Sequence, residues 1–178
     1  LHALLMASFV ALPLALVEEG GLRRDEHWWV YLGALLVGFF GMLPFIIYGE
    51  KRRQMKRVLL AAICLLLFCE VYFLLWGNSL WTLVLGFVLF FTAFNLLEAS
   101  LPSLVSKVAP AAGKGAAMGV YATSQFLGAA LGGIAGGWLF QQYGVEGVFL
   151  GCALMALRLL GFAVTMREPP YVTSLRLP

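Results

Sequence analysis

Three polar side chains recur at every third position of a long apolar stretch, namely Thr92, Asn95 and Glu98. Residues spaced in this way lie on one side of a helix, so a helix here carries a polar stripe. In a low-dielectric cavity the charged form of a carboxylate is disfavoured, and such a group can bind and release a proton near neutral pH. Glu98 is therefore a candidate for proton exchange or for contact with a cation. Alternatively, Asn95 and Glu98 form hydrogen bonds to a neighbouring helix.

Two further ionisable residues, Glu70 and Arg158, also lie within apolar stretches. Ionisable groups inside a membrane are costly and usually functional. We expect Arg158 to avoid lipid and to require a carboxylate, backbone carbonyls or a water-filled cavity. By depth along the helices, Glu98 is the nearer candidate partner of Arg158, and Glu70 remains possible. The alternative for both carboxylates is a structural ion pair with no further role.

The composition indicates a membrane setting for these charges. Of the 178 residues, 62% are hydrophobic and only 12% are charged, and the mean hydropathy is +0.91. A soluble domain is closer to half apolar and a quarter charged. The net charge of +3 comes from basic residues spread between the apolar runs, so nucleic-acid binding is not expected. The sequence predicts an integral membrane protein.

Six stretches reach or nearly reach the length of a membrane span. A bilayer core of about 30 Å requires roughly 20 apolar residues in a helix. None of the six alternates polar and apolar residues as a barrel strand does, which leaves the helix as the spanning structure. We predict an all-α bundle of six transmembrane helices over residues 1–17, 29–49, 58–76, 80–104, 116–140 and 145–166, followed by a short tail over residues 167–178.

Lysine and arginine are distributed unequally between the two sides of this bundle. Nine lie in the 50–57 and 105–115 links and the tail, two lie in the 18–28 link, and Arg158 lies within a span. Basic residues concentrate on the cytoplasmic side of membrane proteins. The tail and both basic links are therefore predicted to be cytoplasmic.

The fifth predicted span carries two sets of glycines at helical spacing. Small residues four apart allow the backbone of another helix to approach closely. Gln125 precedes them and either lines a polar path or bonds to another helix. The glycines predicted to mediate helix packing are Gly128, Gly132 and Gly136 in one set, and Gly133 and Gly137 in the other.

Motifs of the common enzyme classes are absent from the sequence. It contains no HExxH, no GxSxG and no Walker-type loop. The two histidines, His2 and His27, are predicted to lie near opposite sides of the membrane. We therefore expect no catalytic residues, no metal site and no enzymatic activity.

The chain resembles the C-terminal half of a major facilitator superfamily transporter, of the bacterial drug:proton antiporter type. The resemblance rests on the order of six spans, the basic link after the second, the segment NLLEASLPSLVSKVAP and the segment GAAMGVYATSQFLGAALGGIAGG. It implies one half of a twelve-helix fold, in a bacterial inner membrane. Its implied partners are membrane lipids, a missing N-terminal six-helix half and a small-molecule substrate. A proton gradient replaces any bound cofactor.

The link after the second span resembles the superfamily's cytoplasmic signature loop, in which an acidic residue and a basic cluster help to gate the transporter. Glu50 corresponds to the acidic residue, and the usual second glycine is missing. A basic link that only sets topology is the alternative. The residues in question are Gly49, Glu50, Lys51, Arg52 and Arg53.

Three functional hypotheses follow from the resemblance and the residues. The first is proton-coupled efflux of small molecules, with Glu98 as the first candidate proton carrier and Glu70 as the second. The second is a facilitator or symporter for sugars or metabolites. The third is a six-helix membrane subunit that does not transport. Because the chain begins at Leu1 within an apolar run, we expect it to be an internal piece of a longer protein.

Overall fold

The computed structural model describes residues 1–166, which form helices joined by short links. No strand occurs in this part of the chain, so the predicted all-α class is confirmed. Two short 3-10 turns, Arg24–Glu26 and Ala111–Gly113, precede the second and fifth helices. The helices are α1 (His2–Glu18), α2 (His27–Arg52), α3 (Met55–Trp76), α4 (Leu80–Val108) and α5 (Lys114–Thr165). The predicted tail over residues 167–178 lies outside the described residues.

The long helix α5 is interrupted at Gly144, whose φ of 68° and ψ of −162° are not helical. This backbone conformation is essentially restricted to glycine. In a straight helix, Leu139 and Gly151 would lie about 18 Å apart. Instead, a Cβ atom placed on Gly151 would lie 2.6 Å from Leu139 Cδ1. The chain therefore reverses at Gly144, and α5 consists of a first segment (114–143) and a second segment (145–165).

Within residues 1–166, four helical stretches are long and apolar enough to cross a membrane, and α1, with 17 residues, is shorter. The four are Arg24–Arg52, Met55–Trp76, Leu80–Val108 and Ala111–Thr165. The last of these contains the reversal at Gly144. The predicted total of six spans stays a prediction.

Several helices continue beyond the spans that hydropathy predicts. α2 ends at Arg52 rather than at residue 49, and α4 ends at Val108 rather than at residue 104. Lysine and arginine are good helix formers, so the helical backbone persists where the apolar run has stopped. The predicted basic link over residues 50–57 is consequently only two residues long.

The helices pack around a core of large apolar side chains. α1 packs mainly against α5, α2 packs against α4, and α3 contacts both α4 and α5. Leu12, Leu66, Phe87 and Phe90 are completely buried. Between α3 and the second segment of α5, the rings of Phe73 and Phe149 stack with centroids 5.2 Å apart.

The two glycine sets of α5 have different surroundings. A Cβ atom on Gly132 would collide with the backbone of Ala3, and one on Gly136 would lie 2.7 Å from Ala7 Cα. Gly132 and Gly136 thus allow α1 to pack directly on the backbone of the first segment. Gly133 and Gly137 have no neighbouring atom within 4 Å of such a Cβ, so they contact no other helix in the described chain.

Substitution of Gly132 by alanine is expected to destabilise the bundle by about 1–3 kcal/mol, because the added methyl group overpacks the α1 contact. The matched Gly133→Ala variant meets open space and gains helix propensity, so its stability should be unchanged or higher. Thermal unfolding in detergent measures both effects. Equal melting temperatures for the two variants would contradict the close contact of α1 with Gly132.

Candidate functional site

Glu98 lies where α1, α4 and the first segment of α5 meet. Its Oε1 atom accepts a hydrogen bond from Gln125 Nε2 at 3.0 Å. The same Gln125 nitrogen donates to Tyr121 Oη, also at 3.0 Å. His2 Nε2 lies 3.7 Å from Glu98 Oε2. Side chains from three helices therefore converge on one carboxylate, and we call Glu98, Gln125, Tyr121 and His2 the Glu98 cluster.

Two polar atoms at this cluster remain without hydrogen bonds. Glu98 Oε2 and Asn95 Nδ2 are buried and have no hydrogen-bond partner among the described residues. Buried polar atoms are almost always paired in native proteins. The Glu98 side chain nevertheless remains 38% exposed overall. An unpaired acceptor and an unpaired donor one helical turn apart can bind a proton, a water molecule or a polar ligand.

Thr92 does not join this cluster directly. Its Oγ1 atom donates to the backbone carbonyl of Val88 at 2.7 Å. A Cβ atom on Gly41 of α2 would lie 3.1 Å from the same Oγ1 atom, so Thr92 is packed against α2. The predicted stripe therefore brings Asn95 and Glu98 together, while the Thr92 hydroxyl is satisfied within its own helix.

Glu70 belongs to a separate and completely buried cluster between α1, α3 and the second segment of α5. Ser8 Oγ lies 2.8 Å from Glu70 Oε1 and 2.9 Å from the Leu4 carbonyl oxygen. Cys152 Sγ lies 3.5 Å from the same hydroxyl. The single Ser8 proton serves one acceptor at a time, and Glu70 Oε2 has no partner among the described residues.

The expected pairing of Arg158 with Glu98 or Glu70 is wrong. Glu98 is bonded to Gln125 and Glu70 to Ser8, and no ion pair of Arg158 occurs within residues 1–166. Arg158 is exposed on the second segment of α5, and the expectation that it avoids lipid stays a prediction. Depth along a helix fixes the level of a side chain but not its direction around the axis, and an arginine can extend towards water from an outward-facing position.

The predicted signature loop is anchored by an ion pair and a buried glycine. Lys107 Nζ at the end of α4 lies 2.7 Å from Glu50 Oε1. A Cβ atom on Gly49 would lie 2.6 Å from Met55 Sδ and 3.0 Å from Val58 Cγ2. Gly49 thus permits the end of α2 to contact α3. Lys51 and Arg52 belong to the last turn of α2 and are exposed.

Arg53 adopts a left-handed backbone conformation, with φ 53° and ψ 41°. The Gln54 amide donates to the Gly49 carbonyl at 2.9 Å, which closes the end of α2. Such a helix ending usually uses glycine. The sequence lacks the glycine that the family signature places in this region, and the structure shows the turn formed with arginine instead.

Four residues of these sites were missed by the sequence analysis as site residues. They are His2 and Tyr121 beside Glu98, Ser8 beside Glu70, and Lys107 beside Glu50. Ser8 was detectable as a polar residue in an apolar run. Tyr121 lies one helical turn before Gln125 and was detectable from that spacing. His2 and Lys107 needed the packing of distant segments, because contacts between residues 57 or 96 positions apart leave no periodic signal.

The fold and the site together define the class: an apolar helical protein embedded in a membrane, with polar side chains converging from several helices. The profile of the Major Facilitator Superfamily matches residues 2–176. The chain belongs to this superfamily of transporters.

Individual relatives agree with this assignment. The chain is 51% identical over 179 residues to the inner membrane transport protein YajR of Escherichia coli (strain K12), covering 99% of this chain and 39% of that protein. It is 38% identical over 128 residues to the uncharacterized transporter BU466 of Buchnera aphidicola subsp. Acyrthosiphon pisum (strain APS), covering 72% of this chain and 33% of the relative. The chain thus spans less than half the length of these relatives. A family of transporters argues for a transporter rather than an enzyme.

Replacement of Ser8 by alanine should destabilise the bundle by about 1–3 kcal/mol, because the buried Glu70 carboxyl loses its hydrogen-bond donor. The Ser8→Ala, Glu70→Leu double variant removes both polar partners and should recover most of that loss. Thermal unfolding in detergent provides the measurement. If the double variant is less stable than Ser8→Ala alone, Glu70 has a stabilising partner other than Ser8.

The left-handed turn at Arg53 predicts different tolerance of two uncharged residues. Asparagine adopts this conformation readily and valine does not. The free energy of unfolding of Arg53→Val should therefore be at least about 1 kcal/mol lower than that of Arg53→Asn. Both variants remove the same charge and side-chain contacts, which leaves the backbone as the difference between them. Matching unfolding curves for the two would exclude a left-handed residue at this position.

Proposed function

We propose that the chain is the C-terminal half of a secondary transporter that exchanges protons for small molecules by alternating access. Efflux is the proposed direction. In transporters built from two related halves, the substrate site lies between the halves near the middle of the membrane. This chain supplies one wall of that site, and an N-terminal half supplies the other wall.

The Glu98 cluster is the observation that carries the proposal. One oxygen of the Glu98 carboxylate has no hydrogen-bond partner among the described residues, and neither has the amide nitrogen of Asn95, three residues earlier on α4. The Glu98 side chain as a whole is 38% exposed, although this oxygen atom is buried. These features suit a group that exchanges a proton, whereas Glu70, the second candidate, is sealed from every surface of the described chain.

The geometry suggests how proton binding would act on the helices. The Glu98 carboxylate accepts a hydrogen bond from Gln125 of α5, and its Oε2 atom lies 3.7 Å from His2 Nε2 of α1. Protonation removes the negative charge and weakens the bond from Gln125, because hydrogen bonds to charged groups are the stronger ones. A proton can shift a conformational equilibrium only through its different affinity for the two states. The Glu98 contacts with α1 and α5 provide such a difference if they form in one state only.

Three observations support the proposed architecture and location. The chain covers 39% of YajR, whose name places that relative in an inner membrane. The reversal at Gly144 divides α5 into two segments, which together with α1 to α4 makes six helices as proposed. The concentration of basic residues in the 50–57 link, the 105–115 link and the tail favours a cytoplasmic position for them.

Substitution of Glu98 by glutamine in the full-length transporter should abolish pH-dependent opening and closing. The probe is a cysteine at Asn95, in a background without Cys64, Cys69 and Cys152, labelled by a membrane-impermeant maleimide. We expect its labelling rate, corrected for the reactivity of the thiol, to differ about tenfold between acidic and alkaline buffer, which corresponds to about 1.4 kcal/mol. With Glu98→Gln the corrected rate should not change.

A matched Glu146→Gln variant provides the control, because Glu146 is an exposed carboxylate on the second segment of α5. It should retain the full pH response. A pH response that survives Glu98→Gln would remove Glu98 from proton coupling. Labelling that never changes would instead favour a non-transporting membrane subunit. Substrate uptake that runs down a proton gradient in the same direction would favour a symporter.

A further inference from the structure

Arg158 presents an electrostatic problem that the proposed transport mechanism does not address. It is exposed on the second segment of α5, and no carboxylate within residues 1–166 pairs with it. Seven residues separate it from the end of the helix at Thr165, a distance of about 10 Å. An arginine at this depth can extend its guanidinium towards the level of the lipid phosphates.

An apolar groove runs beside Arg158 along the same end of the bundle. The groove has a volume of about 290 Å³, and all of its lining residues are apolar. Leu59 and Ile63 of α3 form one wall, Leu97 and Leu101 of α4 form the floor, and Leu159 and Phe162 of α5 form the other wall. Because Arg158 directly precedes Leu159 and lies one turn before Phe162, it flanks that second wall.

A second cation lies on the opposite wall. Lys56 is in the first turn of α3, three residues before Leu59 and seven before Ile63, and is therefore on the same helix face as these two groove residues. It is half-buried, and no ion pair of Lys56 occurs within residues 1–166. The groove thus has a positive charge on each wall and no acidic residue in its lining.

We propose that this groove binds a phospholipid of net negative charge, with an acyl chain between α3, α4 and α5 and its phosphate held by Arg158 and Lys56. Arginine binds phosphate through two parallel hydrogen bonds, and basic pockets between transmembrane helices bind anionic headgroups. A zwitterionic lipid adds an ammonium group for which the groove offers no carboxylate. The anionic headgroup therefore fits the charges better. This inference does not depend on the proposed proton coupling.

The test titrates the full-length transporter in detergent with phosphatidylglycerol or phosphatidylethanolamine of identical acyl chains, and native mass spectrometry measures the bound lipid. We expect the wild-type protein to bind phosphatidylglycerol at least fivefold more tightly. Arg158→Gln should weaken phosphatidylglycerol binding about tenfold and phosphatidylethanolamine binding less, so that the preference for the anionic lipid falls. Lys56→Gln should produce a smaller loss in the same direction.

Two control variants separate the site from general charge effects and from filling of the groove. Arg24→Gln removes an exposed cation from the opposite end of the bundle and should bind lipid as the wild type does. Ala163→Phe places a ring in the groove and should weaken binding of both lipids. Unfolding temperatures in detergent establish that each variant is folded.

Three outcomes would overturn the proposal. The first is equal affinity of the wild type for the two lipids. The second is phosphatidylglycerol binding by Arg158→Gln that matches Arg24→Gln. The third concerns Glu168, which lies outside the described residues. If a Glu168→Gln variant binds phosphatidylglycerol several-fold more tightly than the wild type does, this carboxylate already forms an ion pair with Arg158.

Discussion

The energetic cost of a carboxylate among apolar helices is the constraint on which the rest of this structure depends. A charged or polar group in such surroundings must find a partner or lose its charge. The protein meets this demand differently at Glu98 and Glu70. Glu98 on α4 contacts side chains of α1 and α5, and its side chain stays partly exposed although the Oε2 atom without a hydrogen bond is buried. Glu70 is completely buried, and the Ser8 hydroxyl is its hydrogen-bond donor.

Both solutions depend on how closely α1 lies against α5. Gly132 and Gly136 bring the α5 backbone against Ala3 and Ala7 of α1. His2 and Ser8 are next to those two alanines in the sequence, and one reaches Glu98 while the other reaches Glu70. The absence of side chains on α5 therefore determines which polar groups of α1 meet each carboxylate. The close packing of α1 on α5 therefore also sets the polar contacts of Glu98 and Glu70.

Much of the fold could be predicted from the sequence, because a bilayer leaves few choices for long apolar segments. The all-α class followed from run lengths, and the reversal near Gly144 from a break between two runs. Helix ends were misplaced where charged residues continue α2 to Arg52. Within the site, the spacing of Asn95 and Glu98 indicated a shared face. It could not indicate Gln125 as the donor rather than Arg158, because the rotation of each helix about its axis is set by packing between distant segments.

The reversal within α5 has a mechanical consequence. A connection of several residues can lengthen, bend or let two helices slide past each other, but here Gly144 alone separates the two segments. Leu139 packs against Gly151 and Tyr143 packs against Gly147, so the two segments contact each other beside the reversal. The segments before and after Gly144 are therefore held together at this corner, and a displacement of the first segment there is passed to the second.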